Sequence, residues 1–173
     1  MASIKNRAKK LSVIALLGAM ALVSFLIESL FPSLMVPGAK MGLGNIFVML
    51  ALYTFGIGEA TCVLLLKCIL GNLITGNLSS MAFALFAGIA SLLTCSLLMT
   101  FLRDKISITA VSVSGAVVNN LAQNAVYSFI SQSTTVFFYA PYLALTGVLG
   151  GTVVGIATVL ILRKLPKLWF EKR

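Results

Sequence analysis

The sequence predicts an all-α integral membrane protein, a bundle of about six transmembrane helices. Composition, the length of the apolar runs and the placement of charge all point that way. Of 173 residues, 60% are hydrophobic and 10% are charged. A soluble domain keeps roughly a quarter of its residues charged so that its surface can face water. This chain has too few polar groups to cover a globular surface, so its solvent is largely lipid. One bilayer crossing takes about 20 apolar residues at a rise of about 1.5 Å each. Six crossings with short loops use nearly all of residues 1–173, which are read as one transmembrane domain.

The first helix is expected from about Leu11 to Leu30, behind the basic lead Lys5, Arg7, Lys9 and Lys10. A basic start before an apolar stretch also describes a signal peptide, with Ala19-Met20-Ala21 as its cleavage site. The apolar stretch runs on to Leu30 and further spans follow, so a membrane helix is the better reading. Pro32, Pro37, Gly38, Gly42 and Gly44 break the helix and make a loop of Phe31 to Gly44. The second helix, about Asn45 to Ile57, is short for a crossing, hence tilted or partly re-entrant. Gly56 and Gly58 bracket a tight turn into the third, about Glu59 to Thr75. The fourth covers about Ser80 to Leu102 and closes on Arg103-Asp104-Lys105. The fifth covers about Ile106 to Ile130, before the polar stretch Ser131 to Thr135. The sixth runs from near Pro141 to Leu162, ahead of a basic tail.

Charge placement orients the bundle. With the N-terminus inside, Lys5, Arg7, Lys9, Lys10, Arg103, Lys105, Arg163, Lys164, Lys167, Lys172 and Arg173 all fall on the cytoplasmic side. That is eleven of the thirteen basic residues; Lys40 lies in an outer loop and Lys67 inside the third helix. The positive-inside rule therefore expects a plasma-membrane protein with both termini cytoplasmic. The net charge of +9 is explained by orientation, and no nucleic-acid partner is expected.

Two helices carry small-residue spacings that let a neighbouring backbone approach closely: Gly147, Gly151 and Gly155 on the sixth, Ala15 and Ala19 on the first. The first set is read as internal packing. The second fits internal packing and the docking of a partner about equally. Cys62, Cys68 and Cys95 lie in apolar segments without a CxxC pair and are read as small buried hydrophobes, so no metal site is expected.

Polar groups inside the spans carry the functional signal. Asn120, Asn124 and Tyr127 fall at i, i+4 and i+7 of the fifth helix, with Asn119, Gln123 and Ser112 nearby. Four side-chain amides between positions 119 and 124 do not face lipid without a large desolvation cost. Lys67 lies well inside the third helix and needs a partner or a cavity. Glu28 is the only acid of the first helix and sits near its outer end. Together with Lys40 these groups predict a polar pocket that opens outward beneath the first loop. The competing reading pairs Lys67 with Glu28 as a structural bridge and uses the amides to tie helices together.

Several chemistries are absent from the sequence. It has no histidine, and of its four acids Asp104 and Glu171 lie in a turn and the tail. No clustered carboxylates are available to hold a Mg²⁺-diphosphate, and no Walker A sequence occurs. These facts argue against a self-sufficient enzyme, and no cofactor is expected.

Three segments carry a family resemblance. Val36-Pro-Gly-Ala-Lys-Met-Gly-Leu-Gly-Asn45 resembles the outer-loop motif of the Gx transporter family, often labelled heptaprenyl diphosphate synthase component I. Leu66-Lys-Cys-Ile-Leu-Gly-Asn-Leu-Ile-Thr-Gly76 resembles its third-helix pattern, with Lys67 where arginine often stands. Gly115-Ala-Val-Val-Asn-Asn-Leu-Ala-Gln123 resembles its fifth-helix pattern, with Asn119 in place of a common histidine. The architecture is similar to the S components of energy-coupling-factor (ECF) transporters. That resemblance implies a small-molecule ligand, isoprenoid-, quinone- or flavin-related, in a membrane-embedded binding subunit. Its binding residues would be Glu28, Lys40, Asn45 and Lys67, with Asn119, Asn120, Gln123, Asn124 and Tyr127 from the fifth helix. It also implies that Ala15 and Ala19 dock a transmembrane scaffold subunit, with ATPase subunits supplying energy. The family label offers two other roles: a non-catalytic membrane subunit of heptaprenyl diphosphate synthase, or a membrane component of a flavin- or quinone-linked electron-transfer system.

Overall fold

A computed structural model describes residues 2–30, 42–102 and 105–164 of the chain. They form six α-helices: α1 (Ala2–Leu30), α2 (Asn45–Thr54), α3 (Ile57–Ile74), α4 (Leu78–Leu102), α5 (Ile108–Ser131) and α6 (Ala140–Lys164), with a 3-10 segment, Thr134–Tyr139, before α6. The protein is all-helical, as expected. Lys40, with most of the first loop, Arg103-Asp104 and the tail beyond residue 164, lies outside the described residues.

The helix ends differ from expectation where local chemistry was underestimated. α1 starts at Ala2, so the basic lead belongs to the helix; Ala, Lys and Arg are strong helix formers. α2 stops at Thr54, earlier than Ile57, and the turn after it needs one glycine only. That glycine is Gly56, whose φ of +112° is a conformation that side chains with a Cβ rarely adopt. Gly58 lies within α3, which therefore begins at Ile57 rather than Glu59. The Ser107 hydroxyl caps α5 by accepting from the Ala110 N–H at 3.1 Å.

Four stretches are long and apolar enough to cross a membrane: Arg7–Leu30, Ile57–Ile74, Ser80–Leu102 and Thr135–Lys164. α5 is long enough at 24 residues but carries the amide cluster. α2, at 10 residues, spans only about half of a ~30 Å hydrocarbon core. Phe86, Phe101, Phe129 and Phe138 are all more than half exposed, and such side chains face lipid. The chain is a multi-pass membrane protein.

Contacts between helices show that they alternate in direction. Lys10, early in α1, meets Glu59, early in α3, while Ser80, early in α4, meets Asn72, late in α3. The core runs through the middle of the bundle, with Val63 and Leu64 of α3, Leu52 of α2, Leu92 of α4 and Val111 of α5. α5 packs most extensively on α6 and next on α4, while α2 touches α1, α3 and α6.

The glycine spacing on α6 faces α5. A Cβ at Gly147, Gly151 or Gly155 would stand 2.9, 2.6 or 2.7 Å from the Cα of Val117, Val113 or Thr109. The two backbones are therefore in direct contact, the arrangement that small residues allow in lipid. Ala15 and Ala19 are different: both are exposed, while Gly18 and Ala21 of the same helix are buried.

Candidate functional site

Toward the end of the bundle where α1 finishes and α2 begins, five helices line a partly open cavity of about 140 Å³. α1 supplies Phe25 and Glu28 to its wall, α2 supplies Asn45, and α3 supplies Lys67, Cys68 and Asn72. α4 adds Ser80 and Phe83, and α5 adds Asn119 and Gln123. A second void of about 10 Å³, lined by Asn45, Asn119, Asn120 and Thr146 among others, is the size of one water.

Lys67 is 7% exposed, and its ammonium donates to Asn45 Oδ1 at 2.5 Å. An ammonium within a membrane helix costs about 2.5–3.5 kcal/mol unless it is compensated. Here compensation comes from the first residue of α2, across 22 positions of sequence. Gly44 makes this reach possible. A Cβ there would fall 2.9 Å from Lys67 Cδ and 2.9 Å from the Ala21 carbonyl oxygen, in the path of the lysine stem. Glu28 Oε1 accepts from the Gly42 N–H at 2.6 Å, which ties the end of α1 to the turn leading into α2. The turn is closed by the Asn45 N–H donating to the Gly42 carbonyl at 2.8 Å. Glu28 and Lys67 thus grip the same short segment, Gly42 to Asn45, from two helices.

The α5 amides divide into two pairs. Asn120 Nδ2 donates to the Leu143 carbonyl at 3.0 Å and the Thr146 hydroxyl at 3.3 Å, and Asn124 Nδ2 donates to the Val136 carbonyl at 3.2 Å. Both are buried and fasten α5 to α6 and to the segment before it. Asn119 and Gln123, one residue earlier on each turn, face the cavity instead. Tyr127 is half exposed and sets its ring edge-on against Phe83, 5.9 Å between centroids at 63°. It reaches the cavity only through that contact. Of the residues expected in the pocket, the cavity gathers Glu28, Asn45, Lys67, Asn119 and Gln123, while Asn120, Asn124 and Tyr127 are not among its described lining.

Sequence reasoning missed Asn72, Ser80, Phe25 and Phe83. Asn72 is 1% exposed; it donates to the Cys68 carbonyl at 2.7 Å and accepts from the Ser80 hydroxyl. Its place one turn beyond Cys68, on the same helix face, was a usable signal. The two phenylalanines had no such signal, because nothing in their spacing separates them from core or lipid-facing rings. Cys68 and Cys95 are buried, as expected, but Cys62 is exposed, so the expectation of burial fails there. Among the described residues, no group of three or more His, Cys, Asp or Glu side chains is placed to hold a metal ion.

At the opposite end of α2, the Lys10 ammonium pairs with Glu59 at 2.8 Å and stands 5.7 Å from the centre of the Phe55 ring.

A comparison with curated proteins gives no match. The profile of the heptaprenyl diphosphate synthase component I family matches residues 17–161, from the middle of α1 to the last turns of α6. Because that match covers most of the chain, the protein belongs to the heptaprenyl diphosphate synthase component I family.

Proposed function

We propose that this protein is the membrane-embedded, substrate-binding subunit of an ECF-type importer, set in a bacterial plasma membrane with both termini in the cytoplasm. The cavity carries this reading. A subunit that only anchors another protein to the membrane has no use for a partly open cavity whose largely apolar wall carries a lysine, a glutamate and two uncommitted amides. The ligand is a small molecule whose recognised part fits about 140 Å³. Larger binding sites for drug-sized molecules run to about 300–1,000 Å³, so the remainder of an isoprenoid-, quinone- or flavin-sized ligand would lie outside this space. Lys40 belongs to the proposed site through the first loop. The exposed pair Ala15 and Ala19 is the proposed docking face for a scaffold subunit, and ATPases bound to that scaffold would supply the energy.

The family's description favours a second reading, a non-catalytic membrane subunit of heptaprenyl diphosphate synthase. Gentle purification of the tagged protein from native membranes, followed by mass spectrometry of what comes with it, separates the two. A scaffold subunit with ATPases is expected, and Ala15→Leu/Ala19→Leu should abolish their recovery. Recovery of a soluble prenyl synthase subunit instead would sink the importer reading.

A further inference from the structure

We infer that the cavity recognises a compact, uncharged planar ring bearing amide- or imide-type donors and acceptors on its edge, and that it rejects diphosphates. This inference rests on the substrate-binding reading above and names the chemical class that such a site would take.

Size sets the first limit. A cavity of about 150 Å³ in an engineered apolar core accommodates benzene, and this one measures about 140 Å³. It therefore has space for a single ring with small substituents. The walls fit that shape, since Phe25 and Phe83 line the cavity and offer aromatic faces and edges to a flat ligand.

Charge sets the second limit. The described lining holds one ammonium, Lys67, and one carboxylate, Glu28, so its net charge is zero. An anion entering here would meet one cation together with a carboxylate. Two backbone N–H groups near the cavity are also taken by the protein's own oxygens. Glu28 already accepts from Gly42 in the turn into α2, and Asn77 Oδ1 accepts from the Ser80 N–H at 3.1 Å in the first turn of α4. Even with Lys40 added from the first loop, two lysines beside Glu28 would leave one net positive charge, fewer than the several negative charges a diphosphate brings.

The third point is which polar groups remain available. Asn45 Oδ1 is engaged by Lys67, and Asn72 is engaged on both its nitrogen and its oxygen. Asn119 and Gln123 stand one turn apart on α5, line the cavity and remain partly accessible. Two adjacent primary amides present donors and acceptors alternately, which complements the edge of a lactam, an imide or a carboxamide-bearing ring.

The test uses the full chain, purified in detergent, and follows its thermal unfolding with uracil, thymine or nicotinamide as ring probes and inorganic diphosphate as the rival. Single-ring ligands bind at roughly millimolar Kd, so each probe is supplied at about ten times that level. At least one ring probe should raise the unfolding temperature, and diphosphate should not. Asn119→Leu and Gln123→Leu should each weaken that probe about tenfold, the loss expected when a hydrogen-bonded edge loses its partner. If either variant fails to fold, saturation-transfer NMR on the unmutated protein decides the matter: ring probes should compete with one another and diphosphate should displace none. Stabilisation or displacement by diphosphate overturns the inference, and so does a lack of response to every ring probe. Ring binding without co-purifying scaffold or ATPases would leave this inference standing and remove the importer reading. Scaffold and ATPases together with diphosphate-only binding would do the reverse.

Discussion

Between α5 and α6, backbone touches backbone along Gly147, Gly151 and Gly155, and Asn120 and Asn124 hydrogen-bond across the seam. Around α1, α2 and α3, Lys67, Asn45, Glu28 and Asn72 are also hydrogen-bonded, but they line a cavity of about 140 Å³ that α5 reaches with two further amides. Both regions face the same difficulty, a polar group in a medium that offers it no water. At the seam it is solved by committing each amide to the neighbouring helix. At the cavity Asn119 and Gln123 are left uncommitted. The difference separates amides that hold the bundle together from amides able to meet something that enters it.

Substitutions can break this contrast. Gly151→Leu should have the largest effect, because its side chain would be driven into the Val113 backbone, which has no rotamer to yield. A loss of about 3 kcal/mol or outright failure to give a monodisperse protein is expected, measured by unfolding in detergent and size-exclusion chromatography. Unchanged stability would mean the seam is far looser than its distances indicate.

Asn120→Leu should cost about 1 kcal/mol, the scale of an interhelical hydrogen bond in a membrane protein. Asn119→Leu, at the next position on the same helix, should stay within about 0.5 kcal/mol of the unmodified chain, having no such bond to lose. Equal losses for the two would erase the distinction between seam and cavity. Another small effect belongs to the far end of α2. Lys10→Met removes an ion pair whose side chains are 31% and 27% exposed, and partly exposed pairs contribute roughly 0.2–1 kcal/mol. The loss should shrink further in high salt, where the pair in the unmodified protein is itself screened.

Most of the fold was legible because lipid leaves few choices. Long apolar runs must become helices, and the glycine ridge of α6 had to find a close partner. Helix ends were less legible. Gly56 and Gly58 look alike in sequence, and only the backbone angle at Gly56 reveals which one makes the turn. The division of the α5 amides was in principle readable. Asn119 with Gln123 and Asn120 with Asn124 are two i, i+4 pairs offset by one residue, about 100° around the helix, so the pairs point in different directions. Pooling all four concealed this. The Lys67–Asn45 bond and the place of Phe25 and Phe83 were beyond reach, because each depends on how separate helices converge.

α2 is held at both ends. Asn45 receives the Lys67 ammonium at one end, and at the other Phe55 lies under Lys10, which is bound in turn to Glu59. Ten helical residues make a stiff rod of about 15 Å, too short to bend appreciably. A rod that short cannot absorb a shift at Asn45 by bending, so such a shift would have to disturb the contact of Phe55 with Lys10 as well.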